Sequence, residues 1–308
     1  MKNWLKKMNK KILASQSPGK YHESVMVDEV IKSLHVEKGL RYIDCTAGNG
    51  GHMEAILKMG GQVLGIDLDP AMLAISQKRL EKFKGFKLVQ GNFVNIDRIA
   101  RNNNWFPVNG ILFDLGVSNI HLKDLERGFS FENPEALLDM RLNPDTQNVK
   151  GSDLLNILRE DQLEDLFSIS LDPGAAKWIT GRVLHSRMEK PIETVGDMLE
   201  ICEGLRTGKP GMSVATLPFL ALRIAVNSEL INLKEVLPKA FDLLKKDGRL
   251  VIISFHSGED KIVKDFYKEK AGIGEGRMIT FAPIRAGITE VDLNRRARSA
   301  KMRIVQKL

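Results

Sequence analysis

The stretch from Tyr42 to His52 constrains the fold more than any other: Tyr-Ile-Asp44-Cys-Thr-Ala-Gly48-Asn-Gly50-Gly51-His52. An apolar run from Leu40 to Cys45 predicts a buried parallel strand. Three glycines follow in a loop, and helical spacing begins at Met53, Ile56, Leu57 and Met59. A strand, a glycine turn and a helix N-terminus bring backbone N–H groups close to a nucleotide-like ligand. The next apolar run, Gln62 to Ile66, ends at Asp67, 23 residues after Asp44. An acid at the tip of a second strand is placed to accept hydrogen bonds from ribose hydroxyls. The glycine pattern fits a dinucleotide fold or an S-adenosylmethionine fold, and also a tight turn that binds nothing.

The rhythm of the rest of the chain narrows the choice. Strands are predicted at about 40–45, 62–66, 86–90, 110–115 and 249–254. Helices follow them at 51–59, from Pro70 to about Phe83, and up to about Asn102. A helical pattern over 21–35 precedes the first strand, with His22 at its start. Met278 to Phe281 and Met302 to Val305 are candidates for a closing antiparallel pair. The fold class is therefore α/β: a class I, Rossmann-like, seven-stranded methyltransferase sheet, with an inserted helical domain. The insert is inferred because nearly a hundred residues separate strand 4 from the next strand-leading helix, too many for a structureless loop. It carries helical patterns at 152–169, 174–188 and 193–205. The expected division is a basic extension over 1–20, a sheet domain over 21–121 and 214–308, and the insert over 122–213. The sheet domain is expected to resume with a helix at Thr216. Asp247-Gly248 reads as a turn before strand 5.

A chain of 308 residues can bury one large core plus an inserted module. No apolar run reaches the ~18 residues of a membrane span. Two cysteines, Cys45 and Cys202, exclude a disulfide framework and a four-cysteine zinc site, and Cys45 reads as a small core residue. Among the six histidines no i, i+4 pair occurs, so no metal site is expected. The net charge is +7. Six lysines and no acid precede Glu23, and six cations and no acid lie between Arg295 and Lys307. The first cluster reads as a solvated basic extension, with an organellar transit segment as the alternative; the second points towards a phosphate backbone.

Ligands in such sheets bind beyond the carboxyl ends of the strands, where strand order reverses. That collects Gly48, Gly50, Gly51 and His52, then Asp67, Asp114 to Ser118, and His256 to Asp260. Phe93, after strand 3, stands where an adenine ring would lie. Methyl transfer needs alignment more than acid–base chemistry. An exocyclic cytosine amine is a weak nucleophile, because its lone pair is delocalised into the ring. An acceptor for its N–H is required, and Asp114 or the carbonyls after it stand where that acceptor belongs. His256 could touch the base or RNA, or could be a satisfied structural histidine.

The residues then match a known family. The sequence resembles the bacterial ribosomal RNA small-subunit methyltransferase H family, also called MraW, from Tyr21 to about Val305. The resemblance rests on Asp44-x-Thr-x-Gly-x-Gly-Gly-His52, Asp67-Leu-Asp-Pro70 and Phe113-Asp-Leu-Gly-Val-Ser118. It continues through Glu126-Arg-Gly-Phe-Ser-Phe131, Leu138-Asp-Met-Arg141, Ala221 to Asn227, Ser254-Phe-His-Ser257 and Arg296-Ala-Arg-Ser-Ala-Lys301. It implies methylation of N4 of a cytosine in the decoding region of 16S rRNA, with S-adenosylmethionine as methyl donor. It implies cofactor contacts at Gly50, Gly51, His52, Asp67, Phe93 and Asp114. The family's usual Gln contact falls at His121; Gly258 replaces its usual Leu and Arg295 its usual Pro. Asp114 and His256 are the candidate catalytic residues. Arg127, Arg296, Arg298 and Lys301 are the candidate RNA contacts. The expected partner is small-subunit rRNA or a 30S-type particle, with no membrane; a homodimer stays open. The expected compartment is the cytoplasm. Competing readings are methylation of another RNA or of DNA, an RNA-binding assembly factor that retains the cofactor fold without turnover, and a nicotinamide dehydrogenase.

Overall fold

The computed structural model describes residues 24–118, 121–122, 124–206 and 211–308. The basic extension over 1–20 and His22 lie outside the described residues. The described chain forms two units, one of residues up to Gly116 together with Asn232–Leu308, the other of Val117–Ile231.

The first unit is built on seven strands: β1 (Arg41–Asp44), β2 (Gln62–Asp67), β3 (Phe86–Gln90), β4 (Val108–Asp114), β5 (Leu244–Ser254), β6 (Gly276–Met278) and β7 (Lys301–Lys307). Their order in the sheet is β3-β2-β1-β4-β5-β7-β6. The first five run parallel, and β7 is antiparallel to both β5 and β6. Strand order therefore reverses between β1 and β4, which places the crevice at their carboxyl ends.

Alternation of side chains along the strands builds a core on each face of the sheet. Ile111 and Phe113 of β4, with Leu250 and Ile252 of β5, face one side. There they meet α4 (Ile96–Asn102), α10 (Glu229–Leu243) and α11 (Ser257–Gly272). Leu112, Val251 and Ile253 face the other side, against α1 (Val27–Leu34) and α2 (Gly51–Lys58). Cys45 is buried in the first of these cores, as a small apolar side chain would be. The helix α3 (Pro70–Leu80) starts as its sequence demands: Pro70 occupies the first turn, and Asp69 Oδ1 accepts the Ala71 N–H at 2.8 Å.

Two expectations change at the β5 end. The strand begins at Leu244 rather than 249 and runs through the expected Asp247-Gly248 turn. The pairing with β4 slips between Val108 and Gly110, and that irregularity absorbs the turn-like residues without ending the strand. A short helix, α12 (Ile288–Leu293), and a 3-10 turn at Arg295–Ser299 fill the segment before β7.

The second unit is helical: α5 (Gly151–Ile157), α6 (Glu160–Ser168), α7 (Pro173–Glu189), α8 (Val195–Cys202) and α9 (Thr216–Val226). The single pattern expected over 152–169 is two helices, separated where Leu158 turns to extended backbone. Helix α9 is the other difference. Expected as the first element of the resumed sheet domain, it lies in the helical unit. Its Phe219, Ala221 and Leu222 join the core made by Leu163, Phe167, Ile179 and Met198. A helix with apolar residues on a broad face carries no label for which core it will enter, so the sequence pattern left the boundary near 213 instead of 231. Gly128, in the Glu126–Phe131 motif, is required here. Its φ is +72°, and a Cβ would sit 2.6 Å from the Leu137 carbonyl oxygen.

Candidate active site

The carboxyl ends of β1, β2 and β4 and the N-terminus of α2 gather the predicted residues of the first unit. Backbone bonds tie the loop after β1 to both neighbours: Cys45 N–H donates to Leu112 O and Ala47 N–H to Ile66 O, each at 2.9 Å. Gly50 caps α2 with φ +81°, and a Cβ there would lie 2.9 Å from Ser76 Oγ. Ser76 Oγ in turn donates to Gly48 O at 2.9 Å. The glycine turn is thus pressed onto α3 from behind, which leaves its N–H face towards the crevice side of the strands. The missing side chain of Gly51 has a different reason: a Cβ would collide with the Ser24 hydroxyl.

Asp67 ends β2. Its Oδ2 accepts the Gly48 N–H at 2.7 Å and its Oδ1 the Asp69 N–H at 2.9 Å. With the Leu68 N–H as a third backbone donor, the four lone-pair sites of the carboxylate still leave one for an outside group. Burial pushes this carboxyl up to about 6, against the pull of the Asp69, Gly48 and Leu68 N–H groups. Phe93 stands at the start of a 3-10 turn, half-buried, with its ring edge-on to Phe113 at 5.6 Å between centroids. Asn92 Oδ1 accepts the Val94 N–H at 3.0 Å and fixes that turn.

Three ionisable groups meet at the ends of β1 and β4. Asp114 Oδ2 lies 3.6 Å from His52 Nε2. Neither ring nitrogen of His52, nor Asp114 Oδ1, nor Asp44 Oδ2 has a hydrogen-bond partner among the described residues, and all four atoms are buried. Buried polar atoms are normally paired, so four together in one place mark a site whose partners come from outside the fold. Asp44 is fully buried. Burial pushes its carboxyl up to about 6, with His52 and the Thr46 N–H drawing it down and the charges of Asp114 and Asp67 raising it further. Sequence reasoning passed over Asp44 and Thr46 as parts of a strand end. Thr46 Oγ1 accepts the Asp114 N–H at 2.7 Å, and its N–H donates to Asp44 Oδ1 at 3.1 Å. The i, i+2 spacing of Asp44 and Thr46, at the end of a buried strand, was the available signal.

The remaining candidates separate. His256 precedes α11, with Nε2 3.3 Å from Glu259 Oε1. Glu259 Oε2 accepts the Phe255 and His256 N–H groups at 2.8 and 3.3 Å, so this pair serves the start of the helix. Arg296 lies over the Phe255 ring at 5.3 Å. Lys301 Nζ is 3.4 Å from Asp260 Oδ2, a carboxylate it shares with Arg303 at 2.6 Å. Arg298 is exposed. In the second unit, Arg127 is buried. It donates from Nη2 to the carbonyls of Arg141 and Leu142 at 2.7 and 2.8 Å, an inward role where an RNA contact was expected. His121 also lies in that unit, buried, with Nδ1 3.2 Å from the Ser118 backbone nitrogen and its ring 5.7 Å from Phe129.

The first-unit residues fit S-adenosylmethionine. Asp67 offers an acceptor for a ribose hydroxyl, α2 offers backbone donors for a carboxylate, and the unpartnered atoms of His52 and Asp114 offer polar contacts beside them.

The sequence is similar to known proteins across most of its length. The MraW methylase family matches residues 19–308. A relative from Methylacidiphilum infernorum, the Ribosomal RNA small subunit methyltransferase H, is 39% identical over 299 residues, 93% of this chain and 94% of its own. A protein of the same name from Pseudothermotoga lettingae is 38% identical over 296 residues, 93% of this chain and 98% of its own. Among solved structures, an rRNA methylase from Streptococcus thermophilus aligns with a TM-score of 0.42 at 12% identity, over 94% of this chain and 99% of that one.

Proposed function

The chain belongs to the MraW methylase family, and from that premise we infer what the crevice at Asp67 and Asp114 does. The protein is an S-adenosylmethionine-dependent methyltransferase of small-subunit (16S) ribosomal RNA, acting on cytosine N4. The observation that carries the site assignment is convergence. Residues far apart in sequence but matched to the family's motifs, Gly50, His52, Asp67 and Asp114, meet at one sheet edge where strand order reverses.

The bound donor supplies an electrophilic methyl group. Asp67 holds its ribose end, the α2 N-terminus its carboxylate, and Phe93 borders the adenine. Asp114 accepts a hydrogen bond from the exocyclic amine through its unpartnered Oδ1, which turns the nitrogen lone pair out of the ring plane and towards the methyl. Alignment of this kind supplies much of the rate. Arg298 and Arg296 are the cations placed to meet RNA phosphates, whereas Lys301 and Arg127 support the fold through Asp260 and the Arg141–Leu142 carbonyls. His256 belongs to the helix start with Glu259. No helix among the described residues is long and apolar enough to cross a membrane. With a bacterial-type ribosomal substrate, the place of action is the cytoplasm.

The test is nucleoside mass spectrometry of small-subunit RNA and of 30S-type particles after incubation with the protein and isotopically labelled methyl donor. Label in N4-methylcytidine is expected. Label in another nucleoside, or none in either substrate, would overturn the reading.

A further inference from the structure

Methylation of an amine exchanges N–H for N–CH3 and releases one proton, which a buried site must carry away. The buried ionisable groups at the β1 and β4 ends supply a route. We propose that Asp114, His52 and Asp44 form a proton relay: Asp114 takes the proton from N4, His52 receives it at Nε2, and Asp44 is the positioning residue that stabilises the imidazolium. The proposal rests on the assignment of the amine to Asp114.

The geometry is specific. His52 Nε2 faces Asp114 Oδ2 at 3.6 Å, within one small side-chain adjustment of a hydrogen bond. The imidazole is 3% exposed, and neither nitrogen has a hydrogen-bond partner among the described residues. An uncharged ring placed there for packing would leave two buried polar atoms unsatisfied. A ring that gains a proton beside two carboxylates removes that difficulty at the moment of turnover. Asp114 of β4 faces the ring, and the charge of Asp44 of β1 interacts with it. Thr46 sets the frame. It accepts the Asp114 N–H and donates its own N–H to Asp44, which holds the two carboxylates on either side of the strand pair.

The step balances. As the N4–CH3 bond forms, the amine nitrogen becomes cationic. The electron pair of one N4–H bond returns to nitrogen, and the proton passes to an Asp114 oxygen. Rotation of the carboxyl about Cβ–Cγ turns the protonated oxygen to His52, and the proton moves to the lone pair of Nε2. Asp114 regains its charge, and the trio carries one more positive charge than before until solvent removes the proton after product release.

The relay predicts coupling that can be read without substrate. In protein with isotopically labelled histidine and no methyl donor, NMR titration should give His52 a lower midpoint in Asp44→Asn than in the unsubstituted protein, as loss of a nearby opposite charge predicts. A midpoint unmoved by that substitution overturns the relay, whatever the RNA target is. In single-turnover methylation at saturating donor, the wild-type rate should fall on the acid side as His52 becomes occupied. His52→Gln should lower the rate at least about tenfold and abolish that acid limb. A His52→Gln enzyme of native fold that keeps the acid limb also overturns it. If the His52 midpoint moves on Asp44→Asn but no RNA is methylated, the assignment of N4 as the source of the proton falls and the coupling of His52 to Asp44 stands.

Discussion

Two buried polar clusters stand in contrast. In the helical unit, Asn227 sits 7% exposed at the end of α9. Its Oδ1 accepts from Leu142 N–H and Gln147 Nε2 at 3.0 and 2.9 Å, and its Nδ2 donates to the Met140 and Arg223 carbonyls, both at 2.9 Å. Every valence of the amide is used. At the sheet edge, Asp44, His52 and Asp114 are equally polar, yet four of their atoms find no partner in the fold. Both clusters lie in family motifs, so the motif alone does not separate them. The difference is where the partners come from. A cluster satisfied by its own chain stabilises structure, and one left unsatisfied holds free energy in reserve for a ligand.

The contrast breaks first at Asp114, where the largest effect is expected. Asp114→Asn keeps the size of the side chain and the Thr46 bond to the backbone but removes the charge. Single-turnover methylation at saturating donor should fall by about a hundredfold, while urea stability stays within ~0.5 kcal/mol. Wild-type turnover in the folded variant would leave alignment of the amine to the backbone alone. The opposite pattern belongs to Asn227. Asn227→Ala strands the Met140 carbonyl and the Leu142 N–H in a buried setting, and should lower stability by about 3 kcal/mol in urea denaturation. Donor affinity per folded molecule should not change. If it does, the amide serves the site as well as the scaffold.

Much of this is legible in the sequence. Strands 1 to 4 are short apolar runs ended by an acid or a turn, and the structure places them within two residues of where the pattern does. The glycine loop and Asp67 announced the crevice because their spacing reports a single strand-to-strand crossover. Other features depend on long-range partners. Arg127 reads as a surface cation until the chain returns its Arg141 and Leu142 carbonyls to the guanidinium. Helix α9 reads as part of either core. The missing partners of His52 become visible only when every neighbour has been placed, since a sequence shows which polar groups exist and not which ones stay unpaired.

A smaller effect, opposite in sign to that at Asn227, should come from Asp44. The folded carboxyl titrates at about 6, above its ordinary value of 3.8. Between about pH 4 and 6 the folded chain therefore keeps a proton that the unfolded chain has released. The contribution of this group to stability falls as pH rises through that window and is level above it. Asp44→Asn removes this penalty and should stabilise the donor-free protein at pH 7 by about 2 kcal/mol, with the gain vanishing near pH 4. Urea denaturation at the two pH values measures it. A loss of stability at pH 7 would move Asp44 to the scaffold side of the comparison.

The smallest expected effect tests the same distinction at the surface. Lys301 and Arg303 spend their charge on Asp260, and Arg296 lies over Phe255, whereas Arg298 is exposed in the same basic run. A cation already paired within the chain releases few counterions when RNA arrives, because its own field is largely cancelled. An exposed one contributes in full, and each phosphate it neutralises steepens the salt dependence of binding by ~0.7 to 0.9 units of log–log slope. Arg298→Ala should therefore flatten the slope by about one unit, and Lys301→Ala by clearly less, although both remove one positive charge. Net charge alone would make the two variants equal. Titration of small-subunit RNA across a salt series decides between the two, and equal slopes would show that the run acts as a diffuse field, with no role for the partner each cation already has.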